Sequence, residues 1–347
     1  MKSTKSLSEK LLGIELLRFF ASLSILIWHF QHFSIFSKDE FVKTEQPFYE
    51  YLALFYDHGD WGVQLFWCVS GFIFFYKYQN SIRNRTVSTL RFLINRFSRL
   101  YPLHFFTLIL VFILQYYYVG IFGDYFVYIH NDFKHFFLNL MLINEWGLQE
   151  GFSYNGPIWS VSLELIAYLL FFIAAKNFNL FKAIVFLILS TIIAKALGAH
   201  DLSSCLKYFA FGGVIFFILN YLQNKAEDPA LLNLFLLTIS VVGLIFTNQI
   251  ESRSLFVLSI VLFSIIVGPF FQKLERICVN LGNLTYSSYL LHFPIQIALA
   301  LTYNGVIAYS DEKLFLYYLS ITFLLAYLTF HFFERPTQKY LRKKFIT

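Results

Sequence analysis

Charge is scarce in this chain. Asp, Glu, Lys and Arg make up 14% of its 347 residues, where a soluble globular domain carries about a quarter. Hydrophobic residues make up 58%, at a mean hydropathy of +0.60. An ordinary water-soluble domain is excluded, and a polytopic membrane protein is the class that fits. Cysteine is equally sparse. Cys68, Cys205 and Cys278 are far apart, fall in or near apolar runs and show no CxxC or Cys/His ligand spacing, so neither a disulfide framework nor a metal is implied. No internal repeat and no low-complexity linker is visible. The basic start MKSTKSLSEK precedes an apolar run without a small-residue cleavage site, which reads as a retained first span rather than a signal peptide.

Long apolar runs are what the chain has instead, and they recur through its whole length. Segments of about 20 apolar residues suffice to cross a bilayer. Ten are predicted, at 12–34, 60–78, 102–122, 157–175, 179–197, 205–222, 230–247, 254–271, 283–302 and 313–333. The expected fold is an all-α transmembrane bundle forming one domain over 1–347, with no appended soluble domain. With an even number of spans both termini share a side. Placing them in the cytoplasm puts 19 of the 27 Lys and Arg inside and 7 outside, with Arg18 in the first span, as the positive-inside rule requires. The first outer loop is acidic, with Asp39, Glu40, Glu45, Glu50, Asp57 and Asp60. The net charge of +6 is thus an inner-face property and no sign of nucleic-acid binding. A second long outer loop, 123–155, is rich in aromatics and suited to lie partly on the membrane surface.

The run Gly13 to Phe33 carries Glu15, Arg18, Ser22 and His29. On an α-helix the step from Arg18 to His29 turns about 1100°, close to three full circles, and rises about 16 Å. Arg18 and His29 therefore share one stripe, with Glu15 one turn before Arg18 to neutralise it. Ionisable groups at membrane depth cost about 3 kcal/mol or more and usually mark a reaction path; a structural histidine bonded to a neighbouring helix is the other reading.

Four further stretches hold polar residues. In RFLINRFSRLYP, Arg96 and Arg99 stand at i and i+3, suited to fork-like phosphate binding or to a lipid-headgroup anchor, with Pro102 opening the third span. The second span holds Gln64 and Ser70-Gly71, a pair that favours close helix packing and supplies a hydroxyl. The fourth opens with Asn155 as an N-cap and Pro157 in its first turn, then Ser160, Glu164 and Tyr168 along one face. Glu164 calls for protonation or a cationic partner such as Arg18 or His29. The ninth holds Tyr286, Tyr289, His292 and Pro294, and in the tail FFERPTQKYLRKK a helix-end cap accounts for Glu334 and Arg335.

Taken together these residues resemble the integral-membrane acyltransferase family 3. Its marks are an Arg/Lys-x10-His first helix, a VSGF-type second helix, an inner RxxR, a WSLxxE-type fourth helix and a late SYxxYLxHxP-type helix. Here they read Arg18 to His29, Val69-Ser70-Gly71-Phe72, Arg96 to Arg99, Trp159-Ser160 to Glu164, and Tyr286 to His292 with Pro294, across residues 13 to 336. Where members often have an acidic residue in the GVxLFF run, this chain has Gln64.

The resemblance implies transfer of an acyl group, most commonly acetyl, from cytoplasmic acyl-CoA to a hydroxyl of an envelope or exported glycan such as O-antigen, capsule or exopolysaccharide. It implies a multi-pass protein of the bacterial inner membrane. His29 is expected as general base. Arg96 and Arg99 are expected to hold the phosphates of CoA, Arg18 to steer or polarise the donor, and Glu164 to orient His29 or bind the acceptor. Ser70, Ser160, Tyr168 and His292 are expected to line the acceptor path. The partners implied are the bilayer, a glycan or lipid-linked sugar, and a separate polysaccharide-assembly protein, with no metal and no nucleic acid. The main rival is a transporter of a lipid-linked sugar or glycolipid, which predicts repeats and helices broken at the midplane.

Overall fold

A computed structural model describes residues 3–37, 40–250 and 252–346; Lys2 of the basic start and Asp39 of the acidic loop lie outside the described residues. The helices are α1 (Ser3–His29), α2 (Tyr49–His58), α3 (Trp61–Arg83), α4 (Thr89–Phe122), α5 (Phe133–Leu140), α6 (Trp159–Asn177), α7 (Leu180–Ala196), α8 (His200–Lys225), α9 (Pro229–Ile250), α10 (Arg253–Val267), α11 (Glu275–Thr302), α12 (Glu312–Thr329) and α13 (Arg335–Ile346). Short 3-10 turns and one π turn join several of them, and no strand occurs among the described residues.

All ten expected apolar segments are helical. Among the described residues, seven stretches are long and apolar enough to cross a membrane: Leu11–Phe36, Thr89–Phe122, Gly156–Asn177, His200–Lys225, Pro229–Thr247, Arg253–Thr302 and Glu312–Phe345. One of these, Arg253–Thr302, runs 50 residues and contains both α10 and α11. The helices α3 and α7 cover two further expected segments and are not among the seven. On α7 the side chains of Leu189, Ile192 and Ile193 are all more than half exposed, a surface that suits lipid tails rather than water.

Two boundaries differ from the expected ones for a physical reason. Pro102 lies inside α4 rather than at its start, so the loop RFLINRFSRLYP forms the first turns of a 34-residue helix. The last expected span closes in a π turn at Phe330–Glu334 and continues as α13.

The chain forms two compact units, each built from separated stretches. The first comprises 1–21, 61–88 and 164–283. Its central feature is the crossing of α3 with α8, where glycines let the backbones touch. A Cβ added at Gly71 would lie 2.0 Å from the carbonyl oxygen of Phe209, and one at Gly212 2.1 Å from that of Cys68. The small pair Ser70-Gly71 thus does packing work at Gly71. Around the crossing, Phe74 stacks on Tyr168 at 4.2 Å and packs edge-on against Phe171 and Phe209. Overpacking a core costs about 1–3 kcal/mol, occasionally more, and here the obstacle is backbone. Gly71→Val is accordingly expected to remove most folded protein, read as the yield of monodisperse material in detergent; wild-type yield and melting temperature would refute the crossing.

The second unit comprises 22–60, 89–163 and 284–347. Its core gathers Phe30, Phe33, Tyr56, Phe126, Phe293, Phe315 and Tyr318, all buried. The loop 123–155, expected on the outer side, is folded on itself. Asp132 caps α5 by accepting from the His135 amide at 2.9 Å and holds the His135 ring through Nδ1 at 2.9 Å. These bonds keep its carboxyl below the usual range.

Candidate active site

The site grows from the end of α1. Residues Trp28 to Phe33 read WHFQHF, and the helix changes from α to 3-10 after His29, the 3-10 turn covering Phe30–Phe36. Side chains three apart eclipse one another in a 3-10 turn. Phe30 and Phe33 accordingly fall in one column, rings 5.2 Å apart, and enter the core. His29 and His32 fall in another, their rings 4.8 Å apart. His32 was not expected at the site, because on a continued α-helix it would stand about 60° off the His29 column.

The second contribution comes from α11, where Pro294 lacks the N–H that the carbonyl of Leu290 needs. Asn155 donates its Nδ2–H to that carbonyl at 3.0 Å. This replaces the expected N-cap role: Asn155 makes no side-chain cap bond, and a 3-10 turn at Gly156–Ile158 precedes α6. One turn back, Tyr289 donates to the carbonyl of Pro157 at 2.7 Å and lies 2.9 Å from Ser160 Oγ. This stretch of α11 is thereby tied to the turn before α6 at Tyr289 and Leu290, and His292 follows two residues on.

His292 stacks on His29, ring centroids 4.8 Å apart and planes at 26°. Its side chain is fully buried, and neither ring nitrogen closes a hydrogen bond of acceptable geometry. The half-buried His29 likewise leaves Nδ1 without one. Gln296, one turn beyond His292, joins the two histidines of the first span. It donates from Nε2 to the carbonyl of His29 at 2.8 Å, and its Oε1 meets His32 Nδ1 at 3.0 Å. Tyr128 of the loop 123–155 stands edge-on to His32 at 6.0 Å and against Phe293 at 4.8 Å. Ser22 is bonded to Ser288 at 2.8 Å, tying α1 to α11 about two turns before His29. Three imidazoles thus meet where His29 Nδ1 and both nitrogens of His292 close no hydrogen bond of good geometry. Each such buried atom costs about 1–3 kcal/mol unless water or a ligand meets it. Among the described residues no three His, Cys, Asp or Glu side chains are placed to share a metal ion.

The remaining expected residues fall in two places. In the second unit, half-buried Arg96 and Arg99 flank buried Ser98 in the first turns of α4. Arg342 of α13 donates from Nε to Ser98 Oγ at 3.2 Å, bringing a third guanidinium to that turn. Glu334 is not the surface cap the tail suggested: it is buried in the π turn, accepting from Ser287 at 2.6 Å and Gln338 at 3.1 Å. In the first unit, Arg18 is paired with Glu15 at 2.7 Å, as the spacing predicted, and the Cβ side of Gly282 faces the Glu15 carboxylate. Ser70 and Glu164 are half-buried, and Tyr168 is the ring stacked on Phe74. Neither Gln296 nor Asn155 was singled out for these contacts; the signal for Asn155 was Pro294, whose freed Leu290 carbonyl calls for a donor.

A family model described as an acyltransferase domain matches residues 11–340. No curated protein and no solved structure matches the chain. That one match runs nearly end to end and takes in both units, α1 with His29 and α11 with His292: the chain belongs to acyltransferase family 3.

Proposed function

We propose that this membrane acyltransferase moves an acyl group, acetyl by expectation, from cytoplasmic acyl-CoA to a hydroxyl of an envelope or exported glycan. The observation that carries this reading is the stacking of the buried His292 ring on His29, within a chain of the acyltransferase family. A sugar hydroxyl is a weak nucleophile until a base takes its proton, and a neutral imidazole does so near neutral pH. In the proposed step His29 accepts that proton as the hydroxyl oxygen bonds to the acyl carbon. The carbon–sulfur bond breaks, and the departing CoA thiolate takes the proton from His29. Arg96 and Arg99 hold CoA phosphates by paired N–H contacts, Arg18 steers or polarises the donor, and Glu164 orients the base or binds the acceptor. Ser70, Ser160, Tyr168 and His292 are proposed acceptor contacts.

The proposed setting is the bacterial inner membrane, with about ten spans in a single domain and both termini cytoplasmic. A separate polysaccharide-assembly protein is a proposed partner. The test is label transfer from acetyl-CoA by purified protein in nanodiscs with cell-envelope glycan as acceptor. Label entering glycan supports the reading; CoA neither bound nor released, with cognate glycan present, overturns it.

A further inference from the structure

The hydrogen bonds of Gln296 fix more than a position. A backbone carbonyl can only accept, so the bond to the His29 carbonyl at 2.8 Å must come from the amide N–H of Gln296. The amide oxygen then faces His32 Nδ1 at 3.0 Å, and an amide oxygen also only accepts. His32 must therefore carry a proton on Nδ1. In its neutral form that leaves a single lone pair, on Nε2, and no donor there. Among the described residues no protein group bonds to that nitrogen, and the ring is half-buried rather than sealed.

We infer that His32 is a second substrate-contacting imidazole, whose Nε2 accepts a hydrogen bond from a hydroxyl of the acceptor, and that Gln296 is the positioning residue that holds it in this form. The inference rests on the acyl-transfer reading and names the class of acceptor that fits it. Rings 4.8 Å apart on one column can each meet one of two neighbouring hydroxyls on a single polyol. His29 takes the proton of the hydroxyl that is acylated, and His32 holds its neighbour. A sugar with adjacent hydroxyls satisfies this arrangement; an isolated alcohol leaves His32 unmet.

The test has two readouts. The first is nitrogen NMR of histidine-labelled protein in lipid at neutral pH, the His32 signal being assigned by its loss in His32→Phe. Protonated Nδ1 with bare Nε2 is expected in the wild type, and Gln296→Leu is expected to abolish that preference. The second is the glycan concentration giving half-maximal label transfer from acetyl-CoA. His32→Phe is expected to raise it about tenfold or more, as for loss of one substrate hydrogen bond, while the acetyl-CoA dependence stays as it was. His32 found protonated on Nε2 in the wild type, or an unchanged glycan dependence in His32→Phe, overturns the inference. A wild type that transfers no label to any glycan, with the His32 signal as expected, overturns the acyl-transfer reading instead.

Discussion

His29→Ala abolishes acyl transfer while the protein remains folded and inserted. A positioned general base contributes about a hundredfold to ten-thousandfold to rate, and a loss of that size is expected in label transfer from acetyl-CoA. Folding should survive because the core beneath is made by Phe30 and Phe33 with Phe126, Phe315 and Tyr318, none of which needs the imidazole. What His29 gives the fold is its backbone carbonyl, bonded to Gln296 at 2.8 Å, and alanine supplies that equally well. His29→Gln is the companion variant, filling the space next to His292 without a comparable base. Both variants should run as monodisperse protein and transfer almost nothing. Full activity in either would remove His29 from the chemistry and leave it as a packing partner of His292.

Arg96→Ala together with Arg99→Ala raises the acyl-CoA concentration needed for half-maximal turnover. Hydrogen bonds to charged groups contribute about 1.5–3 kcal/mol, so losing two, about 3–6 kcal/mol together, shifts that concentration by roughly a hundredfold to ten-thousandfold. The maximal rate should fall much less, because the arginines are proposed to touch phosphates remote from the thioester. Added salt should imitate the variant in part, since half-buried charges are screened over about 8–10 Å near physiological ionic strength. Arg342 stands on Ser98 between the two arginines in sequence, so some donor affinity should persist. An unchanged acyl-CoA dependence would return the pair to anchoring lipid headgroups.

How much of this could be read from residues alone depends on the range of the interaction. The ten apolar runs are legible because a bilayer demands length and hydropathy from each segment by itself. The Glu15–Arg18 pair is legible because three residues of helix bring the two side chains together. The stack of His29 on His292 is not, since it depends on how two helices more than 260 positions apart are clamped. Asn155 was read for a local role, as an N-cap, when its side chain answers a carbonyl that Pro294 sets free 135 positions away. Glu334 looked like a surface cap because charge beside Arg335 is usually solvated, and the π turn instead carries it inward to Ser287. His32 was passed over because the first span was taken as α-helical to its end.

The 3-10 turn after His29 also restricts how the chain can change in length. With three residues to the turn, adding or deleting one residue between Phe30 and His32 rotates everything beyond by about a third of a circle. His32 would leave Gln296, and Phe33 would leave the column that carries Phe30 into the core. An indel at this point is therefore a change of phase, and only steps of three residues bring a histidine and a phenylalanine back onto the columns they now occupy.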